Sequence, residues 1–344
     1  MNLIREYRGE TTTNVNGNTA LDLHLTERGI DRDDVVSVKH WQSASGEYRF
    51  SVVTKQNNEL SLQEQFEPII QEIKEYSPVF SKIERPIIND PHALIIDPAD
   101  LHLGKYASVE ETGSYYNIEK AVSQVEEGID GILAKSGGFN IDKIFFVIGN
   151  DVLHVDNPKR TTTSGTPQDT DGMWHEAFQA AKYMYLKAIE EMLPVADIHV
   201  IFNPSNHDYM SGYMLAQTIE GYYHKHPNVT FDIGISHRKY TKYGNSMIAT
   251  SHGDGAKPEH MPQLMAFESP EMWAKSEYRY VYLHHVHHKM VAKDLIGVTI
   301  EHVRTPSPSD SWHHRNGYVG AKKAIEGFIH SEKNGQVARI THHL

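Results

Sequence analysis

The chain has 344 residues, 39% of them hydrophobic and 10% aromatic, enough apolar matter for one large domain with a small companion. Its formal net charge of −12 argues against a broad non-specific grip on nucleic acid, which draws on a basic face. The lack of cysteine excludes a disulfide scaffold and thiolate zinc sites. No apolar run approaches the ~20 residues of a membrane-spanning helix, and the opening MNLIREYRGETT lacks the basic-then-apolar layout of a signal peptide. The expectation is a soluble, cytoplasmic protein with no membrane partner.

Residues 1–88 read as a small α+β domain of their own. TALDLHLTERG predicts a short helix, and VVSVKHWQSASGEYRFSVVTK predicts a hairpin with Ser-Gly near its turn. SLQEQFEPIIQEIKEY is amphipathic, with Leu62, Phe66, Ile69, Ile70 and Ile73 at helical spacing. SPVFSKIERPIINDP, with its prolines, reads as a linker. This region holds no catalytic constellation, and Trp41 and Tyr48 are better read as core than as a stacking surface.

From residue 89 to 344, strand-like runs alternate with helical ones, as in a single catalytic α/β domain. IEKAVSQVEEGIDGILAK and MWHEAFQAAKYMYLKAIEEML carry apolar residues at three- and four-residue steps and predict helices lying on a sheet. Three long polar segments, NPKRTTTSGTPQDTDG, GDGAKPEHMPQLMAFESPEMW and RTPSPSDSWHHRNG, predict loops that are either functional or disordered. Their Lys159, Arg160, Lys257 and Arg304 are candidates for meeting phosphate, set against ordinary solvated charge. Trp312-His313-His314 is read either as a stacking cluster or as packing.

Five strand-like runs end in metal-binding residue types. ALIID precedes Asp100-Leu101-His102, KIFFVI precedes Gly149-Asn150-Asp151, and DIHVIF precedes Asn206-His207-Asp208. SMIAT precedes His252-Gly253-Asp254, and YRYVYL precedes His285-Val286-His287. Histidine is also in excess, at 23 residues, and strand alternation through His284–His288 would point His285 and His287 to one side. Carboxylate, imidazole and amide donors without sulfur suit a pair of divalent cations: Mn²⁺ foremost, with Fe, Zn²⁺ and Ni²⁺ compatible. Such a pair, about 3.5–4 Å apart, needs a bridging carboxylate and lowers the pKa of a bridging water. Asp151 is the candidate bridge. His102, Asn206, His252, His285 and His287 supply terminal donors, and His207 sits where a proton donor to a leaving oxygen is wanted. Asp254 reads as an acceptor orienting an imidazole, and Asp97 as a strand-end residue.

In this order and context, the series resembles the calcineurin-like metallophosphoesterase superfamily, whose signature runs D-x-H, G-D, G-N-H-D or G-N-H-E, H, and G-H-x-H. Asp100-Leu101-His102-Leu103-Gly104 and Asp151-Val152-Leu153-His154 are similar to the opening motifs of its double-strand-break repair nucleases. The resemblance implies two mixed β-sheets packed face to face and flanked by helices. It implies one metal on Asp100, His102, Asp151 and His287, and a second on Asp151, Asn206, His252 and His285. It further implies a metal-bridging hydroxide as nucleophile, His207 as general acid oriented by Asp208, and His154 placing that acid or steadying the phosphate. The expected activity is phosphodiester hydrolysis on nucleic acid, of exonuclease type. The alternative is the same chemistry on a small nucleotide or a phosphoprotein. Oligomeric state stays open, a homodimer included. Ser205 and His284 stand where the signature has glycine, and Asn150 stands between Gly149 and Asp151. None of these departures removes a ligand.

Overall fold

A computed structural model describes residues 4–11, 17–42, 48–55, 62–287 and 293–344. The chain divides into two compact units, Met1–Pro68 and Ile69–Leu344. In the first unit, strands β1 (Ile4–Thr11), β2 (Val35–Gln42) and β3 (Tyr48–Lys55) form an antiparallel sheet in the order β1-β3-β2, accompanied by helix α1 (Gly17–Glu27). Leu25, Phe50 and Val52 are its buried core. The β2–β3 pair is the expected hairpin, although its turn at residues 43–47 lies outside the described residues. Strand β1 was not expected, because IREYRGET has no alternating apolar face and draws its register from β3.

The division falls inside helix α2 (Leu62–Glu75), ahead of residue 88 where the sequence reading set it. The proline-rich stretch that follows is fastened to the second unit. Ser77 Oγ donates to the Tyr222 carbonyl at 2.7 Å, Ile83 N to Asn228 Oδ1 at 2.8 Å and Arg85 Nε to Asp197 Oδ1 at 2.7 Å. Phe80 stacks on Tyr223. These contacts recruit an irregular segment into the larger unit without giving it secondary structure.

The second unit holds two mixed sheets. Strands β4 (His92–Ile96), β5 (Ile141–Gly149), β6 (Asp197–Asn203) and β7 (Val229–Asp232) run parallel, and β5 and β6 are almost wholly buried. Next come β8 (Arg238–Tyr243), β9 (Ser246–Ser251), β10 (Tyr278–Leu283), β11 (Lys293–Leu295) and β12 (Val298–His302), in the sheet order β11-β12-β10-β9-β8. The C-terminal hairpin, β13 (Ala324–Ser331) and β14 (Gly335–His343), completes the six-stranded sheet β14-β13-β4-β5-β6-β7.

Ala93, Ile95, Phe145, Val147, Ile201 and Phe328 of the six-stranded sheet meet Ile248 and Tyr282 of the other in one core, so the sheets pack face to face. Helices α3 (Val109–Thr112), α4 (Ile118–Ser136), α5 (Trp174–Met192) and α6 (Tyr209–Tyr223) follow strands β4 to β6. Close packing of α4 on β13 is visible where a Cβ on Gly128 would lie 2.4 Å from Ile325. This is the expected fold class: two mixed sheets, face to face, flanked by helices.

One expected loop is mostly helix. GDGAKPEHMPQLMAFESPEMW contains α7 (Met261–Glu268) and α8 (Pro270–Ala274), and Met261 and Met265 are buried against Met247, Val281 and Leu283 on the outer face of the five-stranded sheet. Its polar residues and prolines masked an apolar anchor of methionines. A short helix α9 (Ser311–Arg315) likewise interrupts the third expected loop. Among the described residues, no helix is long and apolar enough to cross a membrane.

Candidate metal centre

Parallel strand order explains why motifs scattered along the chain meet. Strands β4, β5 and β6 end on the same side of one sheet, β9 and β10 end together in the other, and every candidate ligand follows one of these ends. Backbone bonds then zip the first two motifs together. Asp100 N donates to Asn150 O at 2.8 Å, His102 N to Asp151 O at 2.9 Å and Leu103 N to Val152 O at 2.7 Å.

The backbone here is forced into the left-handed region. Asp100, His102, Asn150, Asp151, His285 and His287 have φ between 50° and 71°, six of the nine non-glycine residues with positive φ among those described. Each such residue costs about 1–3 kcal/mol unless its surroundings hold it, a pattern typical of functional sites. His285 and His287 therefore diverge through a bend beyond β10, which ends at Leu283, and not through strand alternation. His288 lies outside the described residues. Gly149 is a true requirement, since its φ is 86° and a Cβ would sit 2.3 Å from the Asn203 carbonyl. Ser205 and His284 need no glycine, because neither has positive φ.

Two donor sets converge on one carboxylate. His102 Nε2 lies 3.2 Å from His287 Nε2 and 4.0 Å from Asp151 Oδ2, while Asp100 Oδ1 is 4.0 Å from His287 Nε2. On the other side, His252 Nε2 lies 3.2 Å from Asp151 Oδ2 and 2.9 Å from Asn206 Oδ1, and His285 joins Asp151 and His252 in one potential metal-holding group. With metal–donor bonds of about 2.1 Å, two donors on one ion stand about 3.0 Å apart at right angles and about 4.2 Å apart when opposed. The quoted separations fall in or near that window.

Asp151 Oδ1 is taken by the His207 backbone N–H at 2.9 Å, so the single oxygen Oδ2 faces both imidazole sets. Oδ2 is thus the Asp151 oxygen that would be available to both ions. Asp100 Oδ2 and His252 Nδ1 are buried and have no hydrogen-bond partner, and Asp151 Oδ2, also buried, has none beyond its 3.2 Å contact with His252 Nε2. Buried carboxylate oxygens left in this state are costly, and a divalent pair would satisfy them. The residues present fit the group the sequence implies.

The electrostatics divide the set into three neutral imidazoles and one Asp151–His252 ion pair that a cation would have to displace. Burial opposes the charge on Asp151, but the His252 and His207 side of the site outweighs it and holds the carboxyl well below its ordinary range. For His252 burial pulls down, and Asp151 more than compensates, lifting the imidazole to about 9. Burial pushes Asp100 up. Burial drives His102 and His287 well below their usual value, and lowers His285, so these rings are neutral and free to donate lone pairs.

The expected catalytic residues are brought to the same place. His207 packs edge-on to the His102 ring, with centroids 4.6 Å apart, and its Nδ1 lies 2.9 Å from the His154 carbonyl. A carbonyl only accepts, so Nδ1 carries the hydrogen and Nε2 is the nitrogen that gains or loses a proton. His154 is buried, and its Nδ1 lies 3.4 Å from His102 Nδ1, which orients that ring.

The orienting role expected of Asp208 is corrected. Its carboxylate does not meet the His207 ring; Oδ1 accepts from Ser205 Oγ at 2.6 Å and Oδ2 from Leu153 N at 2.8 Å. Ser205 Oγ in turn accepts from Asp151 N at 2.7 Å. Asp208 therefore ties the second ligand loop to the third, and burial together with the Asp151 charge raises its carboxyl to about 7.

Other expectations change too. Asp254 is exposed and bonds to no imidazole among the described residues, so it does not orient His252. Asp97 and His284 are both fully buried, with Asp97 Oδ2 3.2 Å from His284 Nε2, linking the ends of β4 and β10. Arg304 pairs with buried Glu326 at 3.8 Å instead of pointing at a phosphate, whereas Lys159, Arg160 and Lys257 are exposed.

Two buried or half-buried lysines escaped the sequence reading. Lys105 is fully buried and donates to Ser307 Oγ at 2.9 Å and Pro308 O at 2.7 Å, which pins the 305–310 loop beside the metal residues. Burial lowers it to about 7. Lys323 is half-buried, lowered to about 8 by burial, and feels the charge of Asp100. Nothing local in the sequence signals either lysine.

No family model matches the chain. No curated protein matches it in sequence. Among solved structures, it is similar to Vps29 of Chaetomium thermophilum, at 8% identity and a TM-score of 0.27, over 73% of this chain and 96% of that one. It is also similar to the sulfate thiohydrolase SoxB of Thermus thermophilus, at 9% identity and a TM-score of 0.32, over 76% of this chain and 58% of that one. Similarity this distant carries no weight for chemistry, which rests on the side chains above.

Proposed function

We propose that the chain is a phosphoesterase dependent on two divalent metals, acting on phosphodiester bonds of nucleic acid. The observation that carries the metal reading is Asp151 Oδ2, a buried oxygen that stands between His102 Nε2 at 4.0 Å and His252 Nε2 at 3.2 Å, with the buried Asp100 Oδ2 left without a hydrogen-bond partner. Asp100, His102, Asp151 and His287 would hold one ion, and Asp151, Asn206, His252 and His285 the other. Bound there, such a pair supplies Lewis acidity toward a phosphoryl oxygen and activates water at neutral pH. Mn²⁺ is the first candidate, because the donors are oxygen and nitrogen without sulfur.

The chain's own residues do the rest. The His154 carbonyl keeps His207 in one tautomer, so that Nε2, when protonated, delivers its proton to the departing oxygen. Asp208 and Ser205 keep the two loops in register. The choice of nucleic acid rests on the Asp100-Leu101-His102-Leu103-Gly104 and Asp151-Val152-Leu153-His154 motifs. A small nucleotide or a phosphoprotein is the second reading, favoured by the net charge of −12.

A substrate panel with Mn²⁺ tests both: bis-p-nitrophenyl phosphate against the monoester, then DNA and RNA. Hydrolysis of the diester and of either polymer supports the first reading. Turnover of small esters with both polymers intact supports the second, and no turnover of any ester removes both.

A further inference from the structure

An exposed aromatic pair stands one ring away from the candidate ligand His287, and no role described above uses it. Trp312 and Tyr318 are each 61% exposed, yet their rings stack on one another, with centroids 5.7 Å apart and planes 21° apart. His313 lies edge-on to Trp312 at 5.2 Å, and its ring tilts against that of His287 at 5.0 Å. The series His287, His313, Trp312, Tyr318 thus leads from the metal residues outward along one surface.

The platform is built to hold its shape. Asp310 Oδ1 accepts from His313 N at 2.9 Å and lies 2.7 Å from His313 Nδ1, fixing both the start of α9 and the imidazole. Tyr318 N donates to His313 O at 2.9 Å, and Ser309 Oγ donates to the Tyr318 carbonyl at 2.7 Å. Buried Lys105 anchors the loop at Ser307 and Pro308, and Thr305 Oγ1 donates to the Asp100 carbonyl at 2.7 Å. The aromatic pair is therefore tied by hydrogen bonds to the same strand ends that carry the ligands. Large rings kept in water by a rigid frame mark a binding surface more readily than a packing remnant.

We propose that Trp312 and Tyr318 form a stacking subsite for an unpaired nucleobase next to the phosphodiester held at the metal centre. The inference rests on the phosphodiesterase reading and deepens it by naming the substrate class: single-stranded nucleic acid or a frayed strand end. A π-face is common to all bases, so such a platform gives affinity without sequence choice. It also supplies grip that does not depend on positive charge, which fits a chain of net charge −12. A closed duplex hides its base faces and gains nothing from the platform.

The test uses Mn²⁺-loaded protein and two single-stranded oligonucleotides of equal length, one normal and one with abasic sugars. The wild type is expected to favour the base-bearing strand in kcat/KM by roughly 5- to 150-fold, the worth of one stacked base. Trp312→Ala with Tyr318→Ala should collapse that ratio toward one, while metal content and turnover of the abasic strand stay unchanged. An undiminished ratio in the double variant overturns the subsite and leaves the phosphodiesterase reading standing. If the wild type cleaves neither strand but hydrolyses a small phosphoester, the nucleic-acid reading falls by itself. Calorimetric binding of thymidine monophosphate against deoxyribose phosphate then decides the subsite: a preference abolished in the double variant supports it, and equal binding overturns it.

Discussion

Ser205→Ala removes one hydroxyl and should loosen the whole centre. Ser205 Oγ is buried, accepts from Asp151 N at 2.7 Å and donates to Asp208 Oδ1 at 2.6 Å. Alanine leaves both partners buried and short of a bond, since Asp208 keeps only Leu153 N at 2.8 Å. One orphaned neutral donor and one under-satisfied carboxylate oxygen cost about 1–3 kcal/mol each, so about 2–6 kcal/mol in all. Loss of a partner behind a ligand also lowers metal affinity, typically by about 10- to 100-fold. Two measurements separate these effects: calorimetric titration with Mn²⁺, and thermal melting of chelated protein. Serine-to-alanine changes at an exposed site, such as Ser236, supply the background. Wild-type Mn²⁺ affinity together with a wild-type melting temperature in Ser205→Ala would refute the assignment of Ser205 as the tie between the loops.

His207→Ala should lower kcat by about 10²- to 10⁴-fold while both metals stay bound; equal kcat, or metal loss measured by elemental analysis, contradicts its placement as proton donor. Lys323→Met should raise KM for a phosphoester about tenfold or more, the worth of a charged hydrogen bond, because its ammonium has no hydrogen bond or ion pair among the described residues. The same lysine, held near 8, predicts that wild-type kcat/KM falls as pH rises through about 8 and that the variant lacks this limb. Buried His330, 2.9 Å from Tyr282 Oη and edge-on to Tyr280, is pushed down to about 3 by burial. Below the ordinary value of 6.5 the unfolded chain takes a proton that the folded chain refuses, so stability falls with falling pH, by about 2–3 kcal/mol at pH 4.5. Denaturant midpoints at pH 7 and 4.5 should differ less in His330→Gln than in the wild type; an equal acid loss removes His330 as a source.

The sequence made the strands of the second unit visible because its central strands are buried on both faces and read as unbroken apolar runs: HALII, KIFFVIG, SMIATS. Their polar ends pointed to the candidate ligands for the same reason, since polar side chains at buried strand ends need a purpose. The parts that stayed hidden depend on long-range partners. Strand β1 is polar and takes its place only by pairing with β3. Ser205 reads as a lost glycine until its hydroxyl is seen between Asp151 and Asp208. Asp208 beside His207 in sequence invites a direct contact, yet the turn into α6 aims its carboxylate back at Leu153. Lys105 and Lys323 meet the centre through tertiary packing that no spacing rule encodes.

Asp151 Oδ2 would serve both metal ions. Crystals grown with Mn²⁺ and measured at its absorption edge test it without any assay. Two anomalous peaks about 3.5–4 Å apart are expected, with Asp151 Oδ2 in reach of both, one shared with His102 and His287 and the other with His252 and His285. A single peak, or two peaks with Asp151 ligating neither, would contradict it.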